Sequence, residues 1–341
     1  MVPGTVGVRR TSLHITLPAL GLLALVVPLA GCGAGSSSSG SLTPLTIGLT
    51  YVPNIQFAPF YVARELGYYK DAGLDVTLHH HTASEDEFGA LVAGQENAIF
   101  AGGDEGLQAR AQGPQLVYIT QVYTKYPIAL IVPADSPIHS AADLRGHSIG
   151  VPGKYGETYI GLLALLKGAG LSQSDVNIQS IGFTQVQALM GHKVDAVMGY
   201  FNNEPILFQQ QGFAVHTLEV TSGQPLVSDG ILAMQSELQA HPDTIKALVA
   251  ATLRGLNYTL AHPQDAVNLS KTYVPTLDDP TQAASALTVL NATLPLWQQT
   301  GPKSGYTDPA AWQSMASFLQ AQGQLGGTVD AAQSVSNAYL P

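Results

Sequence analysis

Residues 46–63 read TIGLTYVPNIQFAPFYVA, and residues 67–76 follow as GYYKDAGLDV. The β-branched and aromatic residues of 45–51 favour a strand, which Pro53-Asn54 ends. Residues 58–66 have helical character and stop at Gly67. Residues 68–72 add a short helical turn with Gly73 as its left-handed stop. Residues 74–79 alternate and read as a second strand.

Working outward, the alternation continues. Residues 88–93 are helical, 98–101 form a short buried strand running into Gly102-Gly103-Asp104, 105–112 are helical and 116–122 form a strand. The pattern then restarts. Strands are expected at 128–132, 148–151, 177–181, 196–200 and 214–220, with helices at 158–168, 184–190 and 205–211 between them. From Pro242 onward the chain reads as amphipathic helix with proline breaks. Strands alternating with helices predict an α/β fold built on parallel sheets with right-handed crossovers. Two such units predict two lobes, joined by crossing strands near 128–132 and 215–220. In this reading residues 45–132 and 221–341 form lobe I, and residues 133–220 form lobe II. Ligands of open parallel sheets bind outside the carboxyl ends of the strands, so two facing sheets would share one cleft.

The amino-terminal residues read as an export signal. Arg9 and Arg10 precede the uncharged apolar run 13–30, which closes on Leu29-Ala30-Gly31-Cys32, the small-residue pattern before a lipidated cysteine. A run of about 18 apolar residues can also span a bilayer, but Pro18, Pro28 and the placement of Cys32 favour a lipoprotein signal over residues 1–31. Arg9-Arg10 also raises a twin-arginine route, which the following residues fit poorly. Residues 32–44 then form a tether that begins with a Gly/Ser-rich run. Cys32 is the sole cysteine, so its lipidation would exclude disulfides, zinc–thiolate sites and cysteine nucleophiles. These features predict an extracytoplasmic, lipid-anchored protein.

The chain carries 24 acidic against 14 basic residues, and two of the basic ones lie in the leader. An acidic chain without a basic run argues against nucleic acid or anionic lipid as a partner. Charged residues make up 11% of the chain, against the usual quarter, so uncharged polar residues supply much of the surface.

The opening stretch, together with Leu91-Val-Ala-Gly94, Ala142-Asp-Leu-Arg-Gly146, Ile149-Gly-Val-Pro-Gly153 and Lys193-Val-Asp-Ala-Val-Met-Gly-Tyr200, resembles the type II periplasmic binding proteins. It is similar to the branch that includes thiamine-pyrimidine-precursor, riboflavin and alkanesulfonate binders. The resemblance spans about residues 45–220; the last hundred residues fit only in length and helical character. It implies a two-lobed solute-binding protein, most simply a monomer, that serves the permease and ATPase of an ABC importer. A binding protein feeding a sensor is the alternative from another class. The Tyr-x-Pro-Asn-x-Gln-Phe-Ala-Pro-Phe opening is closest to the vitamin and vitamin-precursor members.

The candidate ligand residues follow strand ends. Tyr51, Asn54 and Phe57 offer aromatic faces and an amide for a planar heterocycle, although Asn54 also suits a turn and Phe57 a core. Asp104 is either a helix cap or a carboxylate aimed at ligand N–H groups. In Gly150-Val-Pro-Gly-Lys-Tyr-Gly156, Gly153 permits close backbone approach and Tyr155 offers a second ring. The loop fits neither a Walker A nor a dinucleotide fingerprint. In Tyr200-Phe-Asn-Asn-Glu-Pro205, the residues Tyr200, Asn202 and Glu204 bring together a ring, an amide and a carboxylate. Vitamin-precursor binders use a carboxylate near here, the resemblance implies, whereas a sulfonate would be repelled by it. Glu204 could instead complement a helix dipole.

His79-His80-His81 reads as a solvated strand end, since neighbours on a strand point to opposite faces. No metal or cofactor is therefore expected. Catalysis is not expected either: no Gly-x-Ser-x-Gly elbow or His-Glu-x-x-His helix occurs. The pyrimidine-forming enzymes of the same fold carry a cysteine-rich motif that this chain lacks.

Overall fold

The computed structural model describes residues 41–82, 85–220, 226–299 and 301–341. The expected signal, Cys32 and most of the tether lie outside the described residues. Among the described residues, ten strands form two five-stranded sheets. The first sheet holds β1 (Thr43–Leu49), β2 (Leu74–His80), β3 (Ala98–Ala101) and β4 (Leu116–Gln121). The second holds β5 (Ile128–Pro133), β6 (Ser148–Val151), β7 (Asn177–Ser180), β8 (Ala196–Tyr200) and β9 (Val215–Glu219). The chain then returns to the first sheet as β10 (Gly230–Met234). The orders are β2-β1-β3-β10-β4 and β7-β6-β8-β5-β9.

The architecture is the two-lobed α/β fold expected, but the sheets are mixed rather than parallel. β10 runs antiparallel to β3 and β4, and β5 runs antiparallel to β8 and β9. Both reversed strands are the first to enter a sheet after a crossing. The chain leaves the carboxyl end of β4, crosses on that side, and enters the second sheet where Ile128 pairs with Tyr200 at the end of β8. Entry at the carboxyl ends forces a strand to run backwards, and Gly230 entering opposite Ala101 repeats the geometry. Residues 128–132, read as the end of the first lobe, thus belong to the second sheet. The first crossing is the segment 122–127, and the second includes residues outside those described.

Local chemistry explains the opening elements. Asn54 caps the turn Ile55–Phe57 by accepting the Gln56 N–H at 3.0 Å. Pro59 is pre-set for the first turn of the helix Ala58–Glu65. Gly73 stops the next helical turn at φ 78°. The carboxy-terminal helices supply the first lobe's core. Leu248, Leu256, Leu290 and Trp297 pack with Ile47 and Leu49 on one face. Trp312, Met315 and Leu319 pack with Ile99 and Tyr118 on the other.

The histidine triplet departs from the solvated strand end expected. His81 is 4% exposed. His80 turns to the opposite face, where its ring nitrogens meet the Tyr51 carbonyl at 3.0 Å and the Tyr61 hydroxyl at 2.9 Å. Burial pushes its pKa down.

Candidate functional site

Between the two sheets lies a cleft of about 1010 Å³, part of it open to solvent. The ends of β1, β2 and β3 bring Tyr51, His81 and Phe100 to it, and the segments after β6 and β7 bring Tyr155 and Phe183. Phe57, Tyr123 and Tyr200 complete an aromatic lining drawn from both lobes. Tyr51 and Phe183 meet across the opening, edge to face, with ring centroids 4.5 Å apart.

The remaining lining is acidic. Glu85, Glu87, Glu105, Glu157, Glu204 and Asp229 all border the cleft, and among the described residues no lysine or arginine does. Glu204 opens the helix Glu204–Gln210, and its Oε2 accepts the Tyr200 N–H at 2.8 Å. It is 5% exposed, and burial pushes its pKa up to about 7. Glu157 stands in the first turn of the helix Gly156–Gly168 and accepts the Tyr200 hydroxyl at 2.7 Å on Oε2. Burial and then the charge of Asp229 hold its pKa well above the usual carboxylate range. Burial and the charge of Glu105 do the same to Asp229 and to Glu87. Like charges this close favour keeping some protons on. Glu105 bridges the lobes, since its Oε1 accepts the Glu157 N–H at 3.2 Å.

Five of the nine residues proposed from sequence line the cleft: Tyr51, Phe57, Tyr155, Tyr200 and Glu204. The other four stand outside its lining, each for a local reason. Asn54 spends its side chain on the Gln56 cap. Asn202 is 1% exposed and donates to Thr293 Oγ1 at 2.7 Å, tying the second lobe to the carboxy-terminal helices. Gly153 lies beneath the Tyr155 ring, where an added Cβ would meet Tyr155 Cε1 at 2.1 Å. Asp104 is fully buried behind the cleft, and the cap of its helix is Gly102. Tyr126 Oη lies 2.8 Å from both Asp104 Oδ2 and the Glu157 carbonyl. One hydroxyl proton cannot serve both acceptors, so a protonated Asp104 completes the chain. Burial and Glu105 push its pKa up to about 8, in keeping with that arrangement.

Sequence reasoning missed Glu157, Asp229, Glu87 and Phe183. Glu157 directly follows the glycine loop and Phe183 closely follows β7, so the strand-end rule reached both. Asp229 precedes β10, a five-residue apolar strand that was itself unread.

The chain is similar to known proteins over most of its length. The family model described as NMT1/THI5 like matches residues 54–266. The riboflavin-binding protein RibY of Chloroflexus aurantiacus is 36% identical over 308 residues, covering 88% of this chain and 87% of that protein. The formylaminopyrimidine-binding protein of Halalkalibacterium halodurans is 24% identical over 322 residues, covering 93% and 97%. Among solved structures, the alkanesulfonate-binding protein SsuA from Xanthomonas axonopodis pv. citri, bound to MOPS, superposes with a TM-score of 0.71 at 19% identity. That match covers 87% of this chain and 99% of SsuA, and it bears on the fold alone. With its family model spanning most of both lobes and a relative at 36% identity over nearly its whole length, the chain belongs to the NMT1/THI5-like family.

Proposed function

We propose that this chain is the extracytoplasmic solute-binding component of an ABC importer, anchored by lipid at Cys32, and that its cleft captures riboflavin. The observation that carries this reading is the lining: aromatic rings from both lobes among acidic side chains, with no lysine or arginine among the described residues. A flat tricyclic ring needs such faces, and a polyhydroxyl chain supplies both donors and acceptors for carboxyl groups of which burial keeps some protonated. The similarity to RibY supports the same ligand. A sulfonate would enter a cleft bordered by six acidic side chains, with no lysine or arginine among its described lining to hold it. Binding rather than turnover is the activity proposed, in line with the binding proteins to which the chain is similar. Capture proceeds by closure: the Tyr51–Phe183 and Glu105–Glu157 contacts part to admit ligand and re-form around it.

Titration of the full-length chain with riboflavin, followed by quenching of flavin fluorescence, tests the reading. Saturable binding, unaffected by MOPS, is expected. No riboflavin binding beside saturable binding of formylaminopyrimidine would transfer the cleft to the pyrimidine precursor. Tighter binding of the sulfonate than of either would overturn the charge argument.

Two variants examine the two halves of the lining. Tyr51→Ala removes a ring that meets both the ligand and Phe183, and affinity should fall about tenfold, as for roughly 1.5 kcal/mol of lost aromatic pairing. Glu204→Gln should weaken riboflavin by roughly 1.5–3 kcal/mol, the range for a hydrogen bond to a charged group. This second measurement belongs above pH 8, where Glu204 is ionised. Wild-type affinity in either variant would remove that residue from the contact.

A further inference from the structure

We propose a zinc-type divalent cation site at the edge of the first sheet, formed by His79, His81 and Glu96. Successive side chains on a strand alternate faces, so His79 and His81 of β2 and its exit share one side while His80 enters the core. Glu96 approaches from the turn before β3. Between β2 and β3 runs β1, and its Gly48 pairs with His79 on one side and with Ile99 on the other. The missing side chain there makes the room: a Cβ on Gly48 would meet Glu96 Oε2 at 2.4 Å.

Both imidazoles converge on one carboxylate oxygen. His79 Nδ1 and His81 Nε2 each lie 2.7 Å from Glu96 Oε1. The three ligand atoms fall within 4.8 Å of one another. Hydrogen bonding alone accounts poorly for this cluster. Glu96 is 3% exposed and His81 4% exposed, yet Glu96 Oε2 and His81 Nδ1 have no hydrogen-bond partner among the described residues. Each such orphan costs about 1–3 kcal/mol when buried. A chelated ion recruits Oε2 as the second oxygen of the carboxylate and takes the place of the proton shared between His81 Nε2 and Oε1.

The donor set selects the ion. Two imidazoles and one carboxylate, with a fourth position left for water, suit zinc and disfavour calcium, which takes six or more oxygens. Zinc bonds of about 2.0–2.1 Å would set neighbouring donors about 3.3 Å apart, which His79 can meet because its side chain is 42% exposed. Glu85 Oε1 lies 3.7 Å from the far nitrogen of His79, where an outer carboxylate would orient the ligating ring. His81 and Glu85 also border the cleft, so the ion would fix one rim of it.

The test is calorimetric titration of the chelator-treated full-length chain with zinc chloride, repeated with calcium chloride. One zinc per chain is expected, with no calcium binding. His79→Ala and Glu96→Gln should each weaken zinc by more than the roughly 10–100-fold that a lost outer partner costs. His79 is partly exposed, so its variant should keep the wild-type melting temperature without zinc, which separates lost ligation from lost folding. Absence of a stoichiometric zinc isotherm, equal affinity for calcium, or wild-type zinc affinity in a folded His79→Ala chain would each overturn the site.

Discussion

Thermal stability of the ligand-free chain should fall as pH rises from about 4.5 to 8, by at least about 5 °C in melting temperature. The carboxylates around the cleft set this sign. Burial raises Glu204 to about 7 and Asp104 to about 8, and raises Glu157, Asp229 and Glu87 as well. Unfolded, all five return to the usual carboxylate range. Within the window the folded chain therefore binds more protons than the unfolded chain, and the slope of stability with pH is negative. The contribution is fully present below the unfolded pKa values and is gone once pH passes the folded ones. Exposed carboxylates act in the opposite direction. Hydrogen bonds lower Asp143, Asp175 and Asp279, so their contribution is lost only as pH falls below the usual carboxylate range. A stability maximum on the acid side of neutrality follows. Calorimetric scans at pH 5, 6.5 and 8 would show it, and Asp104→Asn with Glu204→Gln should flatten the profile. Melting temperatures that rise across the window would mean that these groups are solvated or paired in ways the structure does not have.

What the sequence disclosed, and what it withheld, divides along physical lines. Gly73, Pro59 and the alternating run 74–79 act locally, so their elements were legible at once. Strand direction is not local: nothing in Ile128–Pro133 or Gly230–Met234 says that the chain enters from the cleft side, and both reversed strands were misread or missed. The same limit governed the site. Tyr51, Tyr155, Tyr200 and Glu204 follow strand ends and do line the cleft. Asn54, Asp104 and Asn202 stand near strand ends too, but a polar side chain there can cap a turn, join a buried hydrogen-bond chain or reach across a lobe. Spacing does not separate these fates; the third dimension does. Asp229 escaped because the strand it precedes is short and pairs with strands more than a hundred residues away.

Trp312→Ala should cost about 3–5 kcal/mol of stability, the usual range for truncating a buried tryptophan, although its helix carries no recognisable motif. Trp312 is fully buried in the helix Pro309–Ala321 and donates from Nε1 to Thr307 Oγ1 at 3.1 Å. Its ring packs against Tyr118 with centroids 4.9 Å apart. Tyr118 in turn donates to the Ser228 carbonyl at 3.0 Å, and Met315 of the same helix accepts the Val227 N–H on sulfur at 3.3 Å. The helix therefore braces the strap that carries Asp229 into the cleft. Loss of Trp312 leaves a cavity beside Tyr118 and loosens that brace, so ligand affinity of the folded fraction should fall as well. Urea unfolding measures the first effect, and titration well below the melting temperature measures the second. Gln313→Ala, on the exposed side of the same helix, should change stability by no more than about 0.5 kcal/mol. A Trp312→Ala chain as stable as wild type would contradict the packing. A destabilised chain whose folded fraction binds normally would leave the packing intact and show that Asp229 holds its position without the helix.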